Sequence, residues 1–130
     1  MHDIVLFEND PTLVDVLCLI LEDDGHVVTT YPSSSALRLH LRKRAFPAIV
    51  LFDYRDQGQP SDDSILQSVV NDPFLQRAHH YILMTTNPLP EGTLSVVQRL
   101  HIDVLYKPFE LEDFLTFIRD TSQDHAPVVA

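Results

Sequence analysis

The chain contains little glycine and almost no cysteine. Its 130 residues include three glycines, Gly25, Gly58 and Gly92, and one cysteine, Cys18. Three scattered glycines cannot form the loop that wraps a nucleotide or flavin phosphate, so we do not expect a nucleotide-binding protein. A single cysteine excludes a disulfide within the chain.

Positive charge and long apolar segments are also scarce. The formal net charge of −10 argues against direct nucleic-acid binding, because phosphate contacts need clustered lysine and arginine. The longest apolar stretch, residues 13–21, is interrupted by Asp15 and is shorter than the roughly 20 residues of a membrane span. The amino terminus lacks the basic-then-apolar pattern of a secretory signal. We therefore expect a cytoplasmic protein without a membrane anchor.

The remaining composition is typical of one soluble domain. Hydrophobic residues make up 45% of the chain and charged residues 22%, and the length suits a single core. We predict one domain over residues 1–121. Residues 122–130 lack helical periodicity, so we expect a C-terminal tail or the start of a linker there.

Short apolar segments alternate with amphipathic segments along the chain. The predicted strands are residues 4–7, 26–30, 48–52, 81–84 and 104–106. The predicted helices are one between caps at Asp10 and Gly25, one through residues 37–44, one near 62–70, one near 91–99, and one from 110 to about 119. Five strand-helix units predict an α/β fold, a doubly wound parallel sheet with helices on both faces.

Polar side chains stand where four of these strands end. Glu8 and Asn9 follow the first strand, Asp53 the third, Thr85 the fourth and Lys107 the fifth, so they should converge at one edge of the sheet. Acidic side chains there suit Mg²⁺, a hard cation that prefers oxygen ligands. A carboxylate can also accept a phosphoryl group, whose oxygens then need a cation, a hydroxyl and a positive side chain. In that chemistry Mg²⁺, Thr85 and Lys107 would fill these roles, and we expect Lys107 to point at the carboxylate of Asp53 or at a phosphoryl group that it accepts.

Four segments together carry a resemblance to a known family. They read "IVLFENDP", "AIVLFDYR", "YILMTT" and "VLYKPF". With these motifs at this joint spacing, residues 3–120 resemble a response-regulator receiver domain of two-component signalling. The fold class we predict is α/β, a flavodoxin-like (βα)5 domain with a five-stranded parallel sheet in the order 2-1-3-4-5.

The resemblance implies a role for each candidate site residue. Asp53 matches the phosphoacceptor, Thr85 the switch hydroxyl and Lys107 the family's lysine. The implied Mg²⁺ ligands are Glu8, Asn9, Asp53 and the backbone carbonyl of Arg55. The family's partners are a sensor histidine kinase or phosphotransfer protein, and an output domain or partner bound by the fourth helix, fifth strand and fifth helix. Such a domain is a switch rather than an enzyme, and a homodimer is possible.

The sequence also departs from the family pattern. Asn9 replaces the usual second acid, which predicts weaker Mg²⁺ binding. Thr86 stands where alanine or glycine is commoner, Val104 replaces the usual switch aromatic, and the loop after Asp53 keeps only Gly58 of the family's turn residues. Asn9, Thr86 and Val104 favour an alternative, a pseudo-receiver that binds other proteins but is weakly or not phosphorylated. The intact phosphoacceptor, switch hydroxyl and lysine favour the phosphorylated switch.

Two other kinds of site are disfavoured. A phosphatase that forms an aspartyl phosphate carries a second acid two residues after the nucleophile, where this chain has Arg55. The pair His79-His80 could suggest a metal site, but consecutive residues on a strand point to opposite faces, so we expect surface histidines.

Overall fold

Eleven elements build the domain in a computed structural model that describes residues 2–54 and 65–124. The strands are β1 (Asp3–Phe7), β2 (Val27–Thr30), β3 (Ile49–Asp53), β4 (His80–Thr85) and β5 (Asp103–Tyr106). The helices are α1 (Pro11–Asp23), α2 (Ser34–Lys43), α3 (Ile65–Val70), α4 (Pro73–Ala78), α5 (Glu91–Arg99) and α6 (Leu111–Asp124). Among the described helices, none is both long and apolar enough to cross a membrane.

The five strands form one parallel sheet in the order β2-β1-β3-β4-β5. This confirms the predicted flavodoxin-like order. The central strands are buried on both faces, and Val50, Leu51, Ile82 and Leu83 have essentially no exposed surface. Continuous apolar runs in the sequence therefore mark strands that are covered by helices on both sides.

Alternation along the strands divides the core into two clusters. Val50 and Phe52 of β3 belong to the cluster beneath α2, α3, α4 and α5, whereas Leu51 belongs to the cluster beneath α1 and α6. Successive strand residues point to opposite faces, so β1, β3, β4 and β5 each supply residues to both clusters. The site residues that follow the strands are therefore supported by packed side chains on both faces.

Helix α1 begins and ends where the sequence predicts. The Asp10 side chain accepts hydrogen bonds from the backbone N–H groups of Thr12 at 3.0 Å and Leu13 at 3.5 Å, with Pro11 at the first helical position. Gly25, just beyond the helix, has a φ of +92°, a conformation that glycine adopts without strain.

The third strand-helix unit differs from the prediction because it contains two short helices. The prediction of one helix near residues 62–70 covers α3, although residues 62–64 lie outside the described residues, and it misses α4. The Asp72 side chain caps α4 by accepting from the N–H of Phe74 at 3.0 Å. The fourth and fifth predicted helices are thus α5 and α6. Helix α6 continues to Asp124, beyond its predicted end near residue 119.

The prediction of two surface histidines is wrong for His79, which is buried. Its Nδ1 accepts from the backbone N–H of Ala48 at 3.0 Å, and its Nε2 donates to the carbonyl of Leu41 at 2.9 Å. These backbone groups lie at the ends of α2 and β3, where buried polar groups need partners. The arrangement requires the neutral ring with its proton on Nε2. In contrast, the Nε2 of His80 lies within hydrogen-bonding distance, 2.6 Å, of a carboxylate oxygen of Asp103.

We expect His79 to make the domain less stable in mild acid. Burial lowers the pKa of His79 in the folded state below the ordinary 6.5, and the hydrogen bond to Leu41 opposes this only in part. The unfolded chain then binds the proton more tightly, so the stabilisation is complete above the unfolded pKa and is lost as the pH falls below it. Urea unfolding at about pH 7.5 and about pH 5.5 should show a larger loss for wild type than for His79→Gln.

The matched control is His101→Asn, at an exposed histidine with a φ of 57° that asparagine tolerates. Its loss of stability on acidification should equal that of wild type. An equal loss in His79→Gln and wild type would show that His79 does not set the pH dependence.

Candidate functional site

The candidate site lies at the carboxyl edge of the sheet. Glu8 directly follows β1, Asp53 and Thr85 are the last residues of β3 and β4, and Lys107 directly follows β5. The register pairs Phe7 with Phe52, so the next residues of β1 and β3, Glu8 and Asp53, come side by side. The topology therefore brings together residues that are up to 99 positions apart in the sequence.

Lys107 connects the two carboxylates of the site. Its Nζ donates to Asp53 Oδ1 at 2.9 Å and also to Glu8 Oε1. The side chains of Glu8, Asp53 and Lys107 are only 2%, 16% and 17% exposed. Glu8 also accepts from the backbone N–H of Asn9 at 2.7 Å. Two carboxylates in so little water are stabilised by the ammonium group that they share.

The backbone holds Lys107 in place at the end of the sheet. Its N–H donates to the carbonyl of Thr85 at 2.8 Å, and the N–H of Tyr54 donates to the carbonyl of Met84 at 2.8 Å. These two bonds extend the sheet's pairing past the ends of β5 and β3. The residues beside the site are thus fixed to β4, which lies between β3 and β5.

Both Asp53 and Lys107 have perturbed pKa values. Burial raises the pKa of Asp53, the hydrogen bond from Lys107 opposes this, and the charge of Glu8 raises it further. For Lys107, burial alone would lower the pKa, but the hydrogen bonds and charges of Glu8 and Asp53 outweigh burial and raise it. Lys107 is therefore a firmly charged ammonium group, and Asp53 holds a proton more readily than an ordinary aspartate.

Thr85 lies beside this cluster with its hydroxyl directed along its own loop. The residue is buried, and its Oγ1 donates to the carbonyl of Asn87 at 2.9 Å. To reach an oxygen bound to Asp53, the hydroxyl must first leave Asn87. Thr86 is exposed, at the start of the loop that leads to α5.

Oxygen atoms suitable for a hard cation are present, but few carry charge. The carboxylates of Glu8 and Asp53 fit Mg²⁺ chemically, and Asn9 is exposed next to Glu8. Asp10 caps α1 with its carboxylate. Within residues 2–54 and 65–124, no three His, Cys, Asp or Glu side chains are grouped to hold a metal. The predicted carbonyl ligand of Arg55 lies outside the described residues.

The sequence did not reveal one polar contact next to the site. The hydroxyl of Tyr54, the residue after Asp53, lies 3.3 Å from Thr93 Oγ1 in the first turn of α5. A tyrosine after a buried strand does not by itself indicate such a contact, and no sequence pattern links it to a threonine 39 residues later. Val104, where the family carries an aromatic, is a partly buried residue of the core.

Comparisons with known proteins identify the fold. No protein-family model matches the sequence, and no curated protein matches it. The structure resembles a CheY-like response regulator receiver domain protein from Methanospirillum hungatei, with a TM-score of 0.72 and 21% identity, covering 95% of this chain and 98% of that one.

Two further solved structures are similar. One is the receiver domain of a sensor histidine kinase from Pseudomonas aeruginosa, described with a magnesium ion in its active site cleft, with a TM-score of 0.70 and 21% identity, covering 92% of this chain and 95% of that one. The other is a phosphorylated cyanobacterial phytochrome response regulator, with a TM-score of 0.67 and 17% identity, covering 99% and 96%. The chain therefore has the fold of response-regulator receiver domains.

We expect Lys107→Ala to destabilise the domain by about 3 kcal/mol near pH 8, because it leaves two poorly hydrated carboxylates without their cation. The loss should shrink near pH 5, since a proton on Asp53 can then replace the missing positive charge. Urea unfolding at both pH values measures this. The control is Lys43→Ala, which removes the chain's other lysine, an exposed residue of α2. A loss that does not depend on pH would contradict the electrostatic explanation.

Proposed function

We propose that this chain is the phosphoacceptor receiver domain of a two-component response regulator, phosphorylated on Asp53 with the help of Mg²⁺. The contact of Lys107 with both Asp53 and Glu8 carries the proposal. It gathers a nucleophilic carboxylate, a fixed cation and a second acid at the carboxyl edge of a receiver fold. The donor would be a sensor histidine kinase or a phosphotransfer protein, as for the family that the sequence resembles.

The proposed reaction is the transfer of a phosphoryl group from a phosphohistidine. An oxygen of Asp53 attacks phosphorus, the bond between phosphorus and the histidine nitrogen breaks, and the nitrogen keeps the bonding electrons. When bound, Mg²⁺ supplies positive charge to the transferring oxygens. Lys107 supplies positive charge from the protein, since its Nζ already contacts Asp53. Thr85 donates to a phosphoryl oxygen once its hydroxyl has left Asn87.

Phosphorylation changes the balance of charge around Lys107. In the structure the ammonium group divides its hydrogen bonds between Asp53 and Glu8. A phosphoryl group on Asp53 adds negative charge beside it and attracts Lys107 away from Glu8. Glu8 then becomes available to the cation. Exchange of partners by one lysine thus links phosphorylation with the metal site.

The surface that would report this change is built by α5, β5 and α6. Leu94, Tyr106 and Leu111 are 37%, 50% and 46% exposed there, and exposed large apolar side chains are typical of protein-binding surfaces. An output domain, a partner protein or a second copy would bind this surface. We propose a switch in the cytoplasm rather than an enzyme.

One observation favours the alternative, a pseudo-receiver. Glu8 is almost inaccessible and already neutralised by Lys107, and its neighbour Asn9 carries no charge. A site in which a lysine already balances one of two carboxylates has less attraction for Mg²⁺. In that case the same surface would bind partners regardless of phosphate.

We expect acetyl phosphate with Mg²⁺ to add one phosphoryl group to the wild-type chain, because Asp53 is the more exposed of the two carboxylates that Lys107 contacts. Intact mass spectrometry measures the product, with Asp53→Asn and EDTA-treated wild type as unlabelled samples. The matched control is Asp15→Asn, an exposed aspartate of α1, which should be labelled like wild type. Labelling of Asp53→Asn would place the phosphoryl group elsewhere, and no labelling of wild type would favour the pseudo-receiver.

Asn9→Asp should bind Mg²⁺ roughly fivefold more tightly, since one more carboxylate near an exposed cation contributes about 1 kcal/mol. Isothermal titration calorimetry measures the affinity. Asn71→Asp adds the same charge beyond the end of α3 and should bind like wild type. Unchanged affinity in Asn9→Asp would show that residue 9 does not contact the cation.

A further inference from the structure

Tyr54 connects the phosphoacceptor strand to α5 through both its backbone and its side chain. Its N–H donates to the carbonyl of Met84 at 2.8 Å. A movement of Asp53 or of the end of β4 would therefore also move Tyr54. Its hydroxyl lies 3.3 Å from Thr93 Oγ1. Because an aromatic ring is rigid, a displacement of the Tyr54 backbone moves the hydroxyl directly.

Helix α5 is held to the sheet by few interactions. Of its residues only Val97 is buried, and Pro90 at its N-cap makes no side-chain hydrogen bond. The helix also follows the loop after β4. In that loop the Thr85 hydroxyl donates to the carbonyl of Asn87, and this bond must break if Thr85 turns to a phosphoryl group. The hydrogen bond in the first turn therefore adds to a small set of contacts that hold this helix.

We infer that the hydrogen bond between Tyr54 and Thr93 restrains α5 in its unphosphorylated position and that phosphorylation of Asp53 releases it. The inference rests on the proposed function of Asp53. A phosphoryl group on Asp53 attracts the hydroxyl of Thr85 and the ammonium group of Lys107. Their movement displaces the adjoining ends of β3 and β4, and Tyr54 moves with them. The bond to Thr93 is then lost, and α5 moves. Tyr54 is a positioning residue. It couples the site to α5 in place of the switch aromatic that Val104 replaces.

The test is amide NMR of Tyr54→Phe, with and without beryllofluoride and Mg²⁺ as a phosphoryl mimic. Signals of residues 49–53 and 82–87 report binding at Asp53, and signals of residues 95–99 report α5. Without the mimic, the α5 signals of the variant should already lie displaced toward their positions in mimic-bound wild type. The remaining mimic-induced shift in α5 should be smaller by the same displacement, since losing one ordinary hydrogen bond changes the equilibrium between the two positions of α5 about fivefold.

Four further variants make the test specific. Thr93→Val removes the other hydroxyl and should behave like Tyr54→Phe, and the double variant should add nothing further. Thr93→Ser keeps the hydroxyl and should behave like wild type. Tyr31→Phe removes a tyrosine hydroxyl after β2, which β1 separates from β3, and should leave α5 unchanged.

The outcomes separate this inference from the proposed function. If wild type shows no mimic-induced shifts near Asp53, the proposed function fails and this inference fails with it. If those shifts are present but α5 responds equally in wild type and Tyr54→Phe, only this inference is overturned. It is also overturned if Tyr54→Phe abolishes mimic binding while Thr93→Val does not, because the hydroxyl would then act at the site itself.

Discussion

A single ammonium group between two carboxylates is the interaction on which the candidate site depends. The pairing of β1 with β3 places Glu8 beside Asp53, and two like charges about 4 Å apart near a protein surface repel by about 4 kcal/mol. Lys107 offsets this repulsion by hydrogen bonding to both. Because it follows β5, its long side chain must cross the end of β4 to reach them. Three strands are thus tied together at this edge by side chains.

The neutral Asn9 fits this arrangement in physical terms. With an acid at residue 9, one lysine would face three carboxylates, and a divalent cation would be the natural way to balance the charge. With an amide there, two carboxylates and one lysine leave a single net negative charge. The pocket is then closer to balance without a metal. The residue that we expect to weaken Mg²⁺ binding, Asn9, therefore also avoids adding to the repulsion between Glu8 and Asp53.

The sequence predicts whatever depends on local pattern. The order of strands and the caps of α1 could be predicted because apolar runs, Asp10, Pro11 and Gly25 act within a few residues. The convergence of the site residues followed because all strands of a parallel sheet end at one edge. Even the missed helix α4 carries a local signal, Asp72-Pro73, the same pair of residue types that begins α1. Its shortness hid it, since a six-residue helix shows little periodicity.

Contacts between distant segments could not be predicted in the same way. The hydrogen-bond partners of His79 lie 31 and 38 residues away. Both are backbone groups, so the residue types at those positions do not indicate them. Its burial therefore has no sequence signal. Tyr54 and Thr93 likewise meet only because β3 and α5 are neighbours in the folded chain. Each has an ordinary residue type for its element, so only the folded geometry shows that their hydroxyls are in contact.

The difference between α5 and α6 decides which helix can respond to the site. Helix α6 buries Phe114 and Ile118 completely, and Arg119 bonds to Asp24 at the end of α1, with one N···O distance of 3.1 Å. Moving α6 would expose the core beneath α1 and break that ion pair. Helix α5 buries only Val97, so its displacement costs far less apolar burial. If phosphorylation of Asp53 drives a rearrangement, as we propose, we therefore expect it to move α5 more readily than α6 and to change the surface between them at Leu94 and Tyr106.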